Sequence, residues 1–354
     1  MKTSIKKIAF SLLIFFAFSC SKSDEGTTTP NIEEEIIPVI EEEILPIITD
    51  VYVAGSESNG SQMVAKYWKN GEENILTDGT NDASANSIFV LGDDVYVGGD
   101  EFNGTVKVAK IWKNGEEMLL TDGTNEASVN SIFITDTNLY AVGFEFNGAV
   151  NLAKVWKNNA STTLTNGSNY SNATSVCVAN NMVYIASHEF KNNTNTLKYW
   201  TNGSATSIDG FNYSKSIFVD NNDVYVSGFD YNGVNNNAKL WKNGLEVPLT
   251  LGTNSSTANS VYVFEDDVYV VGYEDNGLKK MAKIWKNGTP TSLTDGITEA
   301  IANSVNVSDG DVYVVGREFN GTVDVAKIWE NGVEMPLTDG SQKSSANSIF
   351  ITTK

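Results

Sequence analysis

Short apolar runs separated by polar turns follow one another along most of this chain. From Asn86 the order is Ser87-Ile88-Phe89-Val90, a Gly92-Asp93 turn, Val95-Tyr96-Val97-Gly98, the polar stretch Glu101-Phe102-Asn103-Gly104, Val108-Ala109-Lys110-Ile111-Trp112, an Asn114-Gly115 turn, and Met118-Leu119-Leu120-Thr121. Runs of this length, rich in β-branched and aromatic residues and bounded by Gly and Asn, predict four strands joined by three turns. Asn-Gly between apolar runs is a strong hairpin signal, because a type I′ turn needs positive φ at both central residues. The same pair stands at Asn70-Gly71, Asn243-Gly244, Asn287-Gly288 and Asn331-Gly332, and Asn158-Asn159 takes its place once. Runs such as Val51-Tyr52-Val53-Ala54 and Val312-Tyr313-Val314-Val315 are continuously apolar rather than alternating, so both faces of these strands are expected to be buried.

The unit is written seven times. Tryptophans at Trp68, Trp112, Trp156, Trp200, Trp241, Trp285 and Trp329 are separated by 44, 44, 44, 41, 44 and 44 residues. A period of this length with Gly-rich turns and β-branched strands excludes a helical solenoid and predicts an all-β, seven-bladed β-propeller of four-stranded antiparallel blades. The first unit begins at the second strand type (Asp50-Val51-Tyr52), whereas the chain ends on Ser345-Ala346-Asn347-Ser348-Ile349-Phe350-Ile351, a copy of the first type. The C-terminal strand is therefore expected to complete the first blade. Ile47-Ile48 is the rival for that place, weakened by Pro46.

Charge narrows the partners. The chain has 44 acidic residues against 24 basic ones, a net charge of −20. That excludes nucleic acid, whose phosphates require clustered Lys and Arg. Of the two cysteines, Cys177 takes the slot that Phe89, Phe133, Phe218 and Phe350 fill elsewhere, and reads as a small buried hydrophobe without a disulfide partner.

The N-terminus reads as an address. A basic start (Lys2, Lys6, Lys7) precedes an apolar stretch from Ile8 to Phe18, too short for a stable membrane span, then Ser19-Cys20. Cysteine directly after such a run resembles the lipobox of bacterial lipoproteins, which implies cleavage after residue 19 and lipidation of Cys20. Ser21-Lys22-Ser23-Asp24-Glu25 looks like the acidic tag that sends lipoproteins of the Bacteroidota type to the cell surface. Two octads, Ile32 to Val39 and Ile40 to Ile47, each read Ile-Glu-Glu-Glu-Ile-x-Pro-x and predict an extended, self-repelling tether. The expected organisation is a signal peptide at 1–19, an anchor and acidic tether at 20–49, and a propeller at 50–354. The whole resembles propeller lipoproteins of Bacteroidota. It lacks the Trp-Asp dipeptides of WD40 blades and the paired glycines of kelch blades, so neither family's partners carry over.

Some positions recur in every unit. An acid follows the second strand (Glu57, Glu101, Glu145, Glu189, Asp230, Glu274, Glu318), and a lysine stands two before each tryptophan (Lys66, Lys110, Lys154, Lys198, Lys239, Lys283, Lys327). A role repeated in every blade points to packing, with acid and lysine as partners. A two-residue turn at Asn59-Gly60 would set Glu57 opposite Gln62 and Lys66 opposite Val53, roughly 13 Å apart, so the pair would need a neighbouring blade or a wider loop. The functional reading is a ring of shallow glycan sites on the end of the blades that carries the loops after the second and fourth strands. There Phe102, Phe146, Phe190, Tyr231 and Phe319 would stack on sugar rings while Glu101, Glu145, Glu189, Asp230, Glu318 and the amides of Asn103 and Asn147 bond hydroxyls. Such weak sites gain by avidity.

The Asp-Gly pairs after the fourth strand (Asp78, Asp122, Asp209, Asp295, Asp339) read as turns, with calcium a secondary expectation and no other cofactor. Serines at 87, 131, 175, 216, 260, 304 and 348 open the first strands and are expected to satisfy backbone groups. The fourth unit departs most: Ser187 replaces glycine, His188 is the sole histidine, and the loop before Ser216 is three residues shorter. It reads either as drift or as an opening bordered by His188, Glu189 and Tyr213. One histidine, no metal-ligand cluster and carboxylates repeated sevenfold argue against an enzyme. The expected function is a monomeric, surface-tethered binding module for a glycan or protein partner. The alternatives are a docking component of an outer-membrane assembly and a propeller-type hydrolase or lyase.

Overall fold

The computed structural model describes residues 49–191, 194–208 and 212–353. Cys20, the signal peptide, residues 20–48 of the tether, and Asp209 lie outside the described residues. Within them the chain forms seven four-stranded antiparallel sheets. Blades 2 to 7 each take four consecutive strands; in blade 2 these are Ala83–Leu91, Asp94–Phe102, Lys107–Lys113 and Glu116–Leu119. Blade 1 is the exception. Its first strand is the C-terminal Ser344–Thr353, followed by Thr49–Ser58, Met63–Lys69 and Glu72–Ile75, with Val53 opposite Ile349 and Tyr52 opposite Phe350. The ring thus closes by pairing the two ends of the propeller, and the first strands contact one another in unbroken succession round the centre.

Each blade is held to the one before it by its tryptophan. Trp112 of blade 2 packs with Tyr52, Ala54 and Ala65 of blade 1, and Trp68 of blade 1 with Tyr313, Val315 and Ala326 of blade 7. All seven indoles are buried. This explains the period: one large side chain per blade fills one interblade gap. Replacing any of them by alanine would cost about 3–5 kcal/mol.

The first strands start earlier than their apolar runs, because each carries a bulge. In blade 2 the register slips between Ala85 and Ser87, leaving Asn86 as the extra residue. The bulge brings the two backbones so close that a Cβ on Gly99 would stand 1.8 Å from the Ser84 carbonyl oxygen. The bulged asparagine instead reaches the next blade. Asn86 donates to the Val129 carbonyl, Asn130 to Ala173, Asn259 to Ala302, Asn303 to Ala346 and Asn347 to Ala85, all at 2.8–2.9 Å. The serines form a second belt. The hydroxyls of Ser87, Ser131, Ser175, Ser260, Ser304 and Ser348 each accept the N–H of an isoleucine or valine on the following first strand.

Candidate ligand site on the loop face

The recurrent acids and lysines pair within the blade in blades 1 to 6. The loop between the second and third strands of blade 1 has four residues, closed by the Asn59 N–H donating to the Gln62 carbonyl. Glu57 therefore lies opposite Val64 and Lys66 opposite Gly55, which corrects the two-residue turn and its 13 Å separation. The two side chains become diagonal neighbours on one face. Lys66 bonds Glu57 at 2.7 Å and Glu73 at 3.0 Å, and Lys110 bonds Glu101 and Glu117, both at 2.6 Å. Burial pulls the Lys110 ammonium down, but its two carboxylate partners outweigh that and raise it. Glu145 pairs with Lys154 at 2.8 Å and Asp230 with Lys239 at 3.9 Å. In blade 7 Lys327 pairs with Glu334, while Glu318 accepts the Thr298 hydroxyl at 2.9 Å; burial pushes the Glu318 carboxyl up.

The amides are also engaged. Asn103 Oδ1 accepts the N–H groups of Thr105 and Val106 and its Nδ2 donates to the Gly123 carbonyl. Asn147 does the same with Ala149, Val150 and Gly167. These bonds tie the loop after the second strand to the loop after the fourth. Asp78 and Asp122 each accept the N–H and hydroxyl of a threonine two residues on, which holds both carboxyls below their usual range. Among the described residues no group of three or more His, Cys, Asp or Glu side chains is placed to hold a metal ion. Of the rim aromatics, Phe102, Phe190 and Tyr231 are exposed, and Phe146 and Phe319 are half-buried.

Sevenfold regularity fails at blades 4 and 5. The bulge residue there is Thr174 in one and Lys215 in the other. Thr174 donates to the Ala186 carbonyl of its own blade at 3.3 Å and meets the Ser214 hydroxyl of the next blade at 2.8 Å in place of a carbonyl there, and neither Lys215 nor Ser216 makes the belt bond of its position. Where the asparagine belt is interrupted, beside a serine belt that Ser175 still carries across to Ile217, a recess of about 440 Å³ opens, lined by Asn130, Asn172, Thr174, His188, Tyr213, Ser214, Lys215 and Phe229. These residues come from the starts of first strands and the ends of second strands, so the recess lies on the loop face, at its inner edge.

The rings there form a row. Tyr170 lies 6.3 Å from His188, His188 5.3 Å from Tyr213, and Tyr213 is stacked on Phe229 at 4.6 Å. Burial, with Lys215 adding to it, drives the His188 pKa down to about 4, so its imidazole is neutral at pH 7. Its Nδ1 is buried without a hydrogen-bond partner. Glu189 belongs elsewhere: Lys198 at 2.5 Å and Asn169 at 2.9 Å bond it, and together outweigh the burial that would push its carboxyl up. Of the three residues that border the expected opening, His188 and Tyr213 line the recess and Glu189 does not. Sequence reasoning missed Thr174 and Lys215. The signal was the series Asn86, Asn130, Thr174, Lys215, Asn259, Asn303, Asn347, in which two members break the rule.

A second departure lies at blades 5 and 6. Val234, Leu251, Leu278 and Ile297 are 76–95% exposed in loops where most other blades carry Ser, Thr, Ala, Asp or Asn. Beside them a recess of about 300 Å³ is lined by residues that include Asn235 and Thr253 of blade 5 and Asp275, Leu278, Lys280 and Glu299 of blade 6. Burial raises the Asp275 carboxyl; Glu299 adds to the rise and Lys280 opposes it.

No protein-family model and no curated protein matches the chain. Solved structures are similar in fold. The β-propeller domain of the Trilobed protease from Pyrococcus furiosus, described as having an open velcro topology, matches with a TM-score of 0.54 at 12% identity, over 82% of this chain and 93% of that one. Pyrococcus horikoshii acylaminoacyl peptidase matches with a TM-score of 0.45 at 14% identity, over 74% of this chain and only 45% of its own length. At such identities the likeness is one of architecture: this chain is a seven-bladed β-propeller, closed by a strand from each end of the ring.

Proposed function

We propose that the protein is a binding module that holds a glycan in the recess between blades 3, 4 and 5. The observation that carries this is the row of rings from Tyr170 through His188 and Tyr213 to Phe229, beside the polar side chains of Asn172, Thr174 and Ser214. A sugar offers one apolar face and a girdle of hydroxyls, so an aromatic platform edged by neutral donors and acceptors is complementary to it. Phe102, Phe190 and Tyr231 on the same face add weak contacts for a longer chain. The invariant acids and lysines hold the blades together and leave recognition to positions that differ between them. A glycan array probed with the purified full chain and with Tyr213→Ala tests this. Binding by the parent, lost in a variant that melts normally, supports the reading; equal binding by both would overturn it.

The setting is a tethered one. Lipidation at Cys20 would place the propeller on the outer membrane, with roughly 28 tether residues at ~3.3 Å each to reach outward. Membrane fractionation of the parent and Cys20→Ala reads this directly, since the variant should become soluble. A second reading, docking onto an outer-membrane protein, is favoured by the exposed crest of Val234, Leu251, Leu278 and Ile297. Under that reading Leu251→Asp with Leu278→Thr, which restores the residues other blades use, abolishes association with the partner and leaves glycan binding intact.

A further inference from the structure

We infer that the glycan held in this recess carries a carboxylate on its ring, as a uronic acid does, and that Lys215 is the group that binds it. The inference rests on the glycan reading for the ring contacts, and on separate observations for the charge.

In five blades the bulge residue is an asparagine whose amide locks neighbouring first strands together. A lysine at that position in blade 5 gives up the bond, and nothing in the packing of the blade explains the exchange. Lys215 has no ion pair and no hydrogen bond among the described residues, in a chain where acids outnumber bases 44 to 24. By contrast, each lysine two before a tryptophan has a carboxylate partner. Lys215 keeps access to solvent, yet it is ringed by protein at the inner edge of the loop face, and that enclosure pulls its ammonium pKa down. An anion entering the recess would supply the missing counter-charge.

The surroundings select the kind of anion. His188 is neutral at pH 7 and adds no second charge. The Thr174 and Ser214 hydroxyls are likewise uncharged. One ammonium among neutral groups matches a single negative charge. Tyr213 and Lys215 stand two residues apart on one strand and both line the recess, so a pyranose stacked on the tyrosine brings a ring carboxylate towards the ammonium.

The test is calorimetric titration of the full chain with short oligomers of galacturonate, glucuronate and mannuronate, each as the free acid and as the methyl ester. Esterification removes the charge and keeps the ring. The parent should bind at least one acid about 10- to 100-fold more tightly than its ester, the range expected of a hydrogen bond to a charged group. Lys215→Asn, which restores the residue of the other blades, should bring acid and ester level while its melting temperature stays near the parent's. Should that variant fail to fold, salt serves instead: added NaCl weakens binding of the acid and not of the ester. Equal affinity for acid and ester in the parent, or binding confined to neutral glycans on the array, would overturn the inference and leave the glycan reading standing. Binding to no glycan of either kind would overturn both.

Discussion

Closure of the ring by the C-terminal strand makes a quantitative prediction. Ile349, on the first strand of blade 1, is buried against the core of blade 7, in a cluster with Val51, Val53, Trp68, Val315 and Ile328. Its N–H also donates to Ser304 of blade 7. Truncating a core isoleucine to alanine removes transfer energy and leaves a cavity, for about 2–5 kcal/mol. At roughly 2–4 °C per kcal/mol for domains of 150–250 residues, a loss of ~3 kcal/mol lowers Tm by roughly 6–12 °C, and somewhat less in a ring of this size. Ile217→Ala, at the same position of blade 5, should cost about as much, which calibrates the packing. Deleting residues 346–354 goes further. It removes Ile349 and the belt bonds from Asn303 to Ala346, from Asn347 to Ala85 and from Ile88 to Ser348, and it bares the edge of Thr49–Ser58. Differential scanning calorimetry should show the deletion melting well below Ile349→Ala, with loss of cooperativity. A truncated chain that melts within a degree or two of the parent would refute closure by this strand.

Further outcomes follow from named contacts. The folded His188 binds its proton only near pH 4 whereas the unfolded chain binds it near 6.5, so the parent should lose about 3 kcal/mol of stability as pH falls through that window. Melting curves of His188→Phe, which borrows the residue found at 144 and 229, should lack that component; identical pH profiles would exclude it. Gly99→Ala forces the Ser84 carbonyl away and should destabilise by ~3 kcal/mol or more, against about 1 kcal/mol for Gly104→Ala, where only positive φ is strained. Lys110→Met leaves Glu101 without its cation and should lower stability by about 1–3 kcal/mol in urea titrations, while glycan affinity is unchanged. Incubation with bound glycans should release no new reducing ends; release abolished by Asp275→Asn would make the blade 6 recess, with its raised carboxyl beside Glu299, a hydrolytic site.

How far each of these features could be read beforehand depends on the range of the interaction behind it. Asn-Gly turns act between neighbours in the chain, and Asn70 and Gly71 both take the positive φ their types allow. The tryptophan period reports one gap per blade, so the count of blades was legible too. The pairing of Glu57 with Lys66 was legible as a recurrence but not as a geometry, because the register hangs on a loop that Asn59 closes with its own backbone and side chain. Lys215 stood in plain view as a break in a series of asparagines. Its meaning required knowing that a bulge turns that position towards the next blade.

The chain alone therefore determined the strands, the turns, the number of blades and the strand that closes the ring, because these follow from local backbone preference and from apolar period. Tertiary structure decided which side chains are occupied and which are left over. The repeated acids and loop amides find their partners across the strands and loops of their own blade, and only the meeting of neighbouring blades shows that the bulge asparagines and the serines already have theirs. The same juxtaposition shows that the asparagine belt lapses at blades 4 and 5, leaving a neutral histidine, a row of rings and a lysine with no partner among the described residues around an open recess.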